Sequence, residues 1–448
     1  MVMMNVEIIS KEIIKPSSPT PSDLRNHKRS FLDQLAPTTY IPIILFYQPK
    51  LINGHHVDHD QVQRSSRLKK SLEQTLNRFY PLAGRVKEDH SIDCNDEGVE
   101  YYEARVACNL SQVLQHVNVE ALNKFLPFEP YGINGAKLGS REVLLAVQYN
   151  IFDCGGVAIG VCVSHRIADG ASATTFLGAW SATSRGDHVL EAVCPNFDAA
   201  KYFSPKDIPW GLGDIGVTKE NIVTRRLVFD KSSIVALKEK ASSAAGFSQV
   251  KFPTRVEAVS AFIWKSLMAI SKSKPAPARV HAAVHAVNIR QRMVPPMPTH
   301  SFGNLWYFAA AIISPHDELD HDHDSNCTLA TKLSKAIKGI DGDYVKKLQS
   351  DAIPDSLTKK VGLSSKLGDV ESYRFTGWCR FALYETDFGW GEPTWVCCPS
   401  MPFKNLVVLT STRDGDGMEA FVNILAEDAV VFDSDKELLP FVSWTINS

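Results

Sequence analysis

The sequence predicts an α/β protein of two domains, and three observations carry that reading. A strand pattern, Val157 to Ser164, passes directly into a helix pattern that opens near Gly170. Strand-like and helix-like stretches alternate through both halves of the chain. The length, 448 residues, exceeds what one ordinary hydrophobic core holds.

Taken in order, Glu7 to Ile14 and Ile41 to Tyr47 read as strands on either side of a Ser/Pro-rich connector. His55, His56, Asp58, His59 and Asp60 read as a polar loop, since nothing fixes them as metal ligands. A helix is expected over Arg64 to Tyr80, with Leu68, Leu72, Leu76 and Phe79 as its apolar stripe and Pro81 as its stop. Tyr101 to Val106 and Val143 to Phe152 are strand-like, and Asp153-Cys154-Gly155-Gly156 turns the chain into the next strand.

Residues 184–221 are rich in Pro and Gly and lack periodicity, which marks a crossover between domains. We expect a first domain over 1–190, a linker over 191–221 and a second domain over 222–448. The second half opens with a strand, Ile222 to Phe229, and a helix from about Ser232. Thr254 and Glu257 form a capping box for a helix whose core stripe is Val259, Phe262, Ile263, Leu267 and Ile270. A Lys/Pro/Ala linker over 272–278 leads to a strand from Val280 to Ile289. His316 to Asp324 reads as a solvated acidic loop. Strands are expected near 305–313, 373–384 and 405–411, a hairpin turn at Asp414 to Gly417, and a final helix over 434–441.

Composition narrows the function classes. Lys and Arg number 48 against 50 Asp and Glu, a formal charge of -2, so no global field invites nucleic acid or an anionic membrane. The longest early apolar run is too short to span a bilayer. The N-terminus lacks the basic start of a signal peptide, and nine scattered cysteines fit reduced thiols. A cytoplasmic protein is expected.

The candidate chemistry begins at Ser164-His165-Arg166-Ile167-Ala168-Asp169-Gly170. Val157, Ile159, Val161 and Val163 alternate with residues that are not polar either, so the strand is buried on both faces. Ala173, Phe176, Leu177 and Trp180 then recur at helical spacing. His165 therefore stands at a strand end, where α/β proteins often place active sites. With a pKa of about 6.5 an imidazole accepts and returns protons near neutrality. Asp169 either orients that ring or turns away to pair with a cation. Ser164 is a poor nucleophile for His165, because adjacent strand residues face opposite ways, and nothing else supports a Cys162–His165 pair.

A second stretch joins it: Phe375-Thr376-Gly377-Trp378-Cys379-Arg380, then Asp387-Phe388-Gly389-Trp390-Gly391. With His165-x-x-x-Asp169-Gly170, this pattern resembles the BAHD acyltransferases of plants. The resemblance extends to Ser17-Ser18-Pro19-Thr20-Pro21, Leu32-Asp33-Gln34, Phe79 to Arg85 and Asn288-Ile289-Arg290. It implies two chloramphenicol-acetyltransferase-like domains, each a mixed sheet with flanking helices, and an active-site channel between them. Some strands near 387–412 are implied to join the first domain's sheet.

The resemblance also implies an activity: transfer of an acyl group from coenzyme A to a small-molecule alcohol, with no bound cofactor and a monomeric enzyme. His165 is implied as general base. Asp169 is implied to turn from the channel and pair with Arg290, and the loop Asp387 to Gly391 to hold the domain together. Thr376 and Trp378 are implied near the reacting carbonyl, where a hydroxyl or indole N–H can meet an oxyanion. Within the family the motifs look most like alkaloid acetyltransferases, which points to acetyl-CoA. A malonyl donor needs a cation such as Arg292, Arg374 or Arg413, and a hydroxycinnamoyl donor a roomier channel. A thioesterase and a non-catalytic ligand-binding member remain as other classes.

Overall fold

The computed structural model describes residues 4–49, 51–52, 55–56, 60–87, 91–131, 142–187, 193–206, 220–242, 253–275, 279–314, 325–350 and 370–445. The first half supplies strands β1 (Val6–Ile14), β2 (Tyr40–Tyr47), β3 (Val99–Val106), β4 (Leu145–Phe152) and β5 (Val157–Ser164). The second supplies β6 (Ile222–Phe229), β7 (Val280–Asn288), β8 (Trp306–Ile313), β9 (Val370–Gly377), β10 (Trp395–Cys397), β11 (Leu406–Ser411), β12 (Met418–Leu425) and β13 (Ser443–Thr445).

Two sheets result. In the first the order is β1-β3-β4-β5-β2-β10, with β3 and β4 parallel and the other pairs antiparallel. In the second it is β8-β7-β9-β11-β12-β6-β13, with β9 parallel to both neighbours. The short β10 leaves the second half and adds to β2, where Trp395 stacks on Phe46 at 5.4 Å. Glu419 on β12 receives the Trp395 indole N–H and pairs with Arg226, so a buried carboxylate ties this strand to the second sheet.

The reason β5 and β2 run through the middle is their composition. Every residue of both strands is buried, which suits a strand covered on both faces. Helices α1 (Asp60–Leu76) and α2 (Gly170–Arg185) pack together beside this sheet. Leu68, Leu72 and Leu76 meet a core that also holds Phe176, Leu177 and Trp180. In the second half α3 (Lys231–Ser242), α4 (Arg255–Ser273), α5 (Asn326–Lys338) and α6 (Ala426–Asp433) enclose another core. The capping box expected at Thr254 and Glu257 starts α4.

Several boundaries differ from the sequence expectation. Helix α1 stops at Leu76, before Pro81, because Asn77 turns its amide to Ser17 and Ser18, and Pro81 belongs to a separate 3-10 turn. Strand β9 ends at Gly377, and a turn closed by Phe381 N–H on Trp378 O replaces the expected strand to 384. The last α-helix is α6, not 434–441. Its Ala429 and Phe432 are buried, whereas the expected segment holds Pro440 and only a 3-10 turn over Leu439–Phe441. The turn at Asp414–Gly417 joins β11 to β12 as expected. His316 to Asp324, Asp58 and His59 lie outside the described residues.

Part of the crossover is packed. Phe197 meets His27, Tyr80 and Phe302, and Asn196 bridges Ser301. Among the described residues no helix is long and apolar enough to cross a membrane.

Candidate active site

Strand β5 delivers His165 to the rim of the first sheet. Its backbone N–H still reaches Thr39 O at 2.9 Å, one residue beyond the strand, so the ring rises from a fixed support. The chain then turns, with Ile167 N–H on Ser164 O, and Asp169 caps α2 by accepting Ser172 N–H at 2.8 Å.

Asp169 does not face His165. Arg290 grips it in bidentate fashion, at 2.8 and 3.0 Å, and Leu305 N–H adds a further donor at 3.0 Å. Arg290 also donates to Ser301 O, Gly303 O and Ser172 Oγ. Burial pushes the Asp169 carboxyl pKa up. Arg290 and the backbone N–H groups of Ser172 and Leu305 outweigh it and hold the group below its ordinary value. This ion pair joins the start of α2 to the second half and leaves no oxygen for the imidazole.

The imidazole is oriented by a residue the sequence did not single out. Asn304 Oδ1 lies 2.8 Å from His165 Nδ1. Its Nδ2 donates to His165 O at 2.8 Å and to Asp33 Oδ1 at 2.9 Å. Both of those partners only accept, which fixes which end of the amide is oxygen. Asn304 Oδ1 must therefore accept from His165, the proton sits on Nδ1, and Nε2 keeps its lone pair. Asp33 is itself held by Ser30 N–H and Oγ and by Asn304 N–H. The Trp306 indole N–H shares Asn304 Oδ1 at 3.2 Å, and its ring stands 6.0 Å from His165.

Burial pushes the His165 pKa down, and the Asp169 charge and the Asn304 bond only partly oppose it. The ring is thus neutral at neutral pH. A neutral imidazole with Nε2 free is a general base.

Gly170, next to Asp169, brings Trp378 close. A Cβ built on Gly170 would lie 3.6 Å from the Trp378 indole nitrogen and 2.7 Å from Phe381 Cε2. Thr376 is half-buried near the end of β9 and makes no hydrogen bond to His165 among the described residues. Of the three cations named above, Arg292 donates to Ile337 O and Ile340 O, and Arg413 is exposed in the hairpin turn. Arg374 is half-buried on β9, two residues before Thr376 and on its face.

Asp387, counted with the catalytic motif in the sequence, sits at the other end of the sheet. Its Oδ1 accepts N–H from Gly389, Trp390 and Gly391 at 2.7, 3.1 and 2.8 Å. Gly389 and Gly391 have φ of +104° and +107°, which only glycine adopts without strain. Phe388 is fully buried, 4.8 Å from the Trp180 ring, and Tyr47 OH, Ser184 Oγ and Arg185 bind the loop's carbonyls. Tyr47 pairs with Val157, while Tyr40 pairs with Ser164. The loop is therefore a strand length from His165, roughly 23 Å at about 3.3 Å per residue.

A cavity of about 230 Å³ lies in the second half among Lys274, Arg279, Glu371, Lys404 and Glu427. Their charges pair with one another or with Asp428, and none of the candidate site residues lines it.

Residues 4–439 match the model of the Transferase family. Stemmadenine O-acetyltransferase of Catharanthus roseus is 41% identical over 433 residues, 96% of each chain. Vinorine synthase of Rauvolfia serpentina is 42% identical over 427 residues, 94% of each chain. Limonoid 7-O-acetyltransferase of Citrus sinensis is 37% identical, covering 97% of this chain and 98% of its own. The crystal structure of vinorine synthase superposes with a TM-score of 0.81 at 39% identity, covering 98% of this chain and 99% of that one. The structure of F. sporotrichioides TRI101 with coenzyme A and T-2, at 18% identity, shares the fold with a TM-score of 0.75 over 94% of this chain and 100% of that one.

Proposed function

The chain belongs to the Transferase family, the BAHD acyltransferases, and on that premise we propose that it moves an acetyl group from acetyl-CoA to a hydroxyl of an alkaloid. Two of the named relatives are O-acetyltransferases by name, one of stemmadenine and one of a limonoid, and the stemmadenine enzyme and vinorine synthase share more identity with this chain than the limonoid enzyme does. The observation that carries the mechanism is the fixed tautomer of His165, with Asn304 on Nδ1 and a lone pair on Nε2.

In the proposed reaction both substrates meet His165 in one complex. Nε2 removes the hydroxyl proton while the oxygen attacks the thioester carbonyl carbon. The carbon–sulfur bond then breaks, and the imidazolium returns its proton to the departing thiolate. No acyl-enzyme forms. The indole N–H of Trp378, beside Gly170, is the proposed donor to the oxyanion. Asp169 and Arg290 act by holding α2 and the Asn304 segment in register, and the Asp387 loop acts by stabilising the first domain.

The domain division at residues 191–221, a cytoplasmic location and a monomeric state belong to the same reading. The odd number and scattered placing of the nine cysteines in the sequence support the cytoplasmic part of that reading.

The test is thiol release from acetyl-CoA, by wild type and His165→Ala, against a panel of alkaloid, triterpenoid and simple alcohols. Release that requires an alkaloid alcohol and disappears in the variant supports the reading. Release without any alcohol makes the protein a thioesterase. Release only from malonyl-CoA, lost in Arg374→Gln, moves the donor assignment. Binding without release from any donor makes it a non-catalytic member of the fold.

A further inference from the structure

The face of the second sheet that turns toward the first half is closed on one side and open on the other. Val408 on β11 stands opposite Phe421 on β12, and both belong to the core of the first half. Thr376 on β9 pairs with Val408 and shares that face. The same face continues through Arg374 and Val284 to Ala310 on the edge strand β8. Along β8 the alternation is sharp. Tyr307, Ala309, Ala311 and Ile313 are buried, whereas Trp306 and Phe308 are half-buried and Ala310 and Ile312 are exposed.

This open stripe begins at the catalytic base. The Trp306 ring stands 6.0 Å from His165, and Phe308 meets Trp306 at 4.7 Å with the two rings at 89°. The indole N–H on Asn304 Oδ1, at 3.2 Å, holds the first ring in place. Two rings at a right angle on one strand make a rigid corner, and the side chains that continue along β8, Ala310 and Ile312, offer carbon alone. A rigid apolar body that fills the corner buries far more area than a short alcohol does. The amide groups of a pantetheine arm would find no side-chain partner along this stripe.

We propose that Trp306 and Phe308 are specificity-determining residues for the acceptor: their corner takes the fused-ring body of a polycyclic alcohol and sets its hydroxyl toward Nε2 of His165. The inference rests on the transferase reading above and adds to it how the acceptor is chosen. Selection is by shape and apolar area, because both rings belong to a strand of the sheet and Trp306 is tied to Asn304.

The experiment compares wild type, Trp306→Leu and Phe308→Leu in thiol release from acetyl-CoA, with fused-ring alkaloid and triterpenoid alcohols and with butanol as acceptors. In either variant the KM for a fused-ring alcohol should rise about 10–100-fold with kcat falling less, so that the kcat/KM advantage over butanol shrinks. Phe308→Leu separates selection from positioning, since Trp306 also touches Asn304. An advantage that stays intact in both variants overturns the proposal, as does a wild type that prefers butanol. A rise confined to the KM for acetyl-CoA gives the corner to the donor and overturns it too. Absence of thiol release by wild type with every alcohol is a different failure, of the transferase reading itself, and takes this proposal with it.

Discussion

The two ends of β5 carry the two sequence motifs, and they are built in opposite ways. At the Asp387 end the groups that shape the loop are consumed: one carboxylate oxygen receives three N–H groups, and three side chains take the surrounding carbonyls. At the His165 end an equally dense network of Ser30, Asp33 and Asn304 closes around the imidazole yet, among the described residues, leaves Nε2 open. Satisfied networks hold shape. A network that ends on one open lone pair presents a reagent.

The comparison can be broken in several places. Losing the reagent itself is the largest effect: His165→Ala should lower kcat about 10²–10⁴-fold with its unfolding transition near that of wild type, measured by thiol release and calorimetry. A variant that keeps its rate would place the base elsewhere.

Cutting the tie between the halves comes next. Arg290→Ala leaves Asp169 buried and unpaired, and should cost about 3–5 kcal/mol in denaturant unfolding. The pH dependence has a definite sign. Asp169 titrates below its unfolded value of about 3.9, so its stabilisation is complete above that pH and disappears as pH falls through the lower folded value. An Arg290→Ala protein as stable as wild type at pH 7 would contradict this.

Asn304→Ala should reduce kcat about 10–100-fold, the equivalent of one lost hydrogen bond of about 1–3 kcal/mol, with little change in KM for either substrate. A change confined to KM would make Asn304 a binding residue instead. At the far end, Asp387→Ala should lose about 1–3 kcal/mol of stability, while activity per folded molecule stays within a few-fold of wild type. Full stability with lost turnover would reverse the roles assigned to the two ends.

The smallest effect belongs to His285. Burial pushes its pKa down to about 4, its ring stacks on Phe375 at 4.9 Å, and Nε2 has no hydrogen-bond partner among the described residues. Stability should therefore be complete above about pH 6.5 and fall as pH drops toward 4, because only the unfolded chain binds this proton readily. His285→Phe should flatten that acid limb in pH-dependent unfolding. An unchanged limb would assign it to other groups.

Much of the architecture was legible because it rests on local pattern. The two-sided apolar run of β5, the stripe of α2 and the Thr254–Glu257 cap each lie within one element. Helix α6 was not, since Val430 and Val431 are 75% and 51% exposed and blur the apolar face. His165 stood out at the junction of two periodicities. Asn304 did not, because it lies 139 residues from His165 and 271 from Asp33, and no spacing rule connects them. The Asp169–Arg290 pair is as distant, and only the family resemblance suggested it.

The most direct measurement is the protonation of the His165 ring by ¹⁵N NMR at neutral pH, on histidine-labelled protein, with His165→Gln assigning the signal. The expected result is a neutral ring with hydrogen on Nδ1 and a bare Nε2. A proton on Nε2, or on both nitrogens, would contradict it.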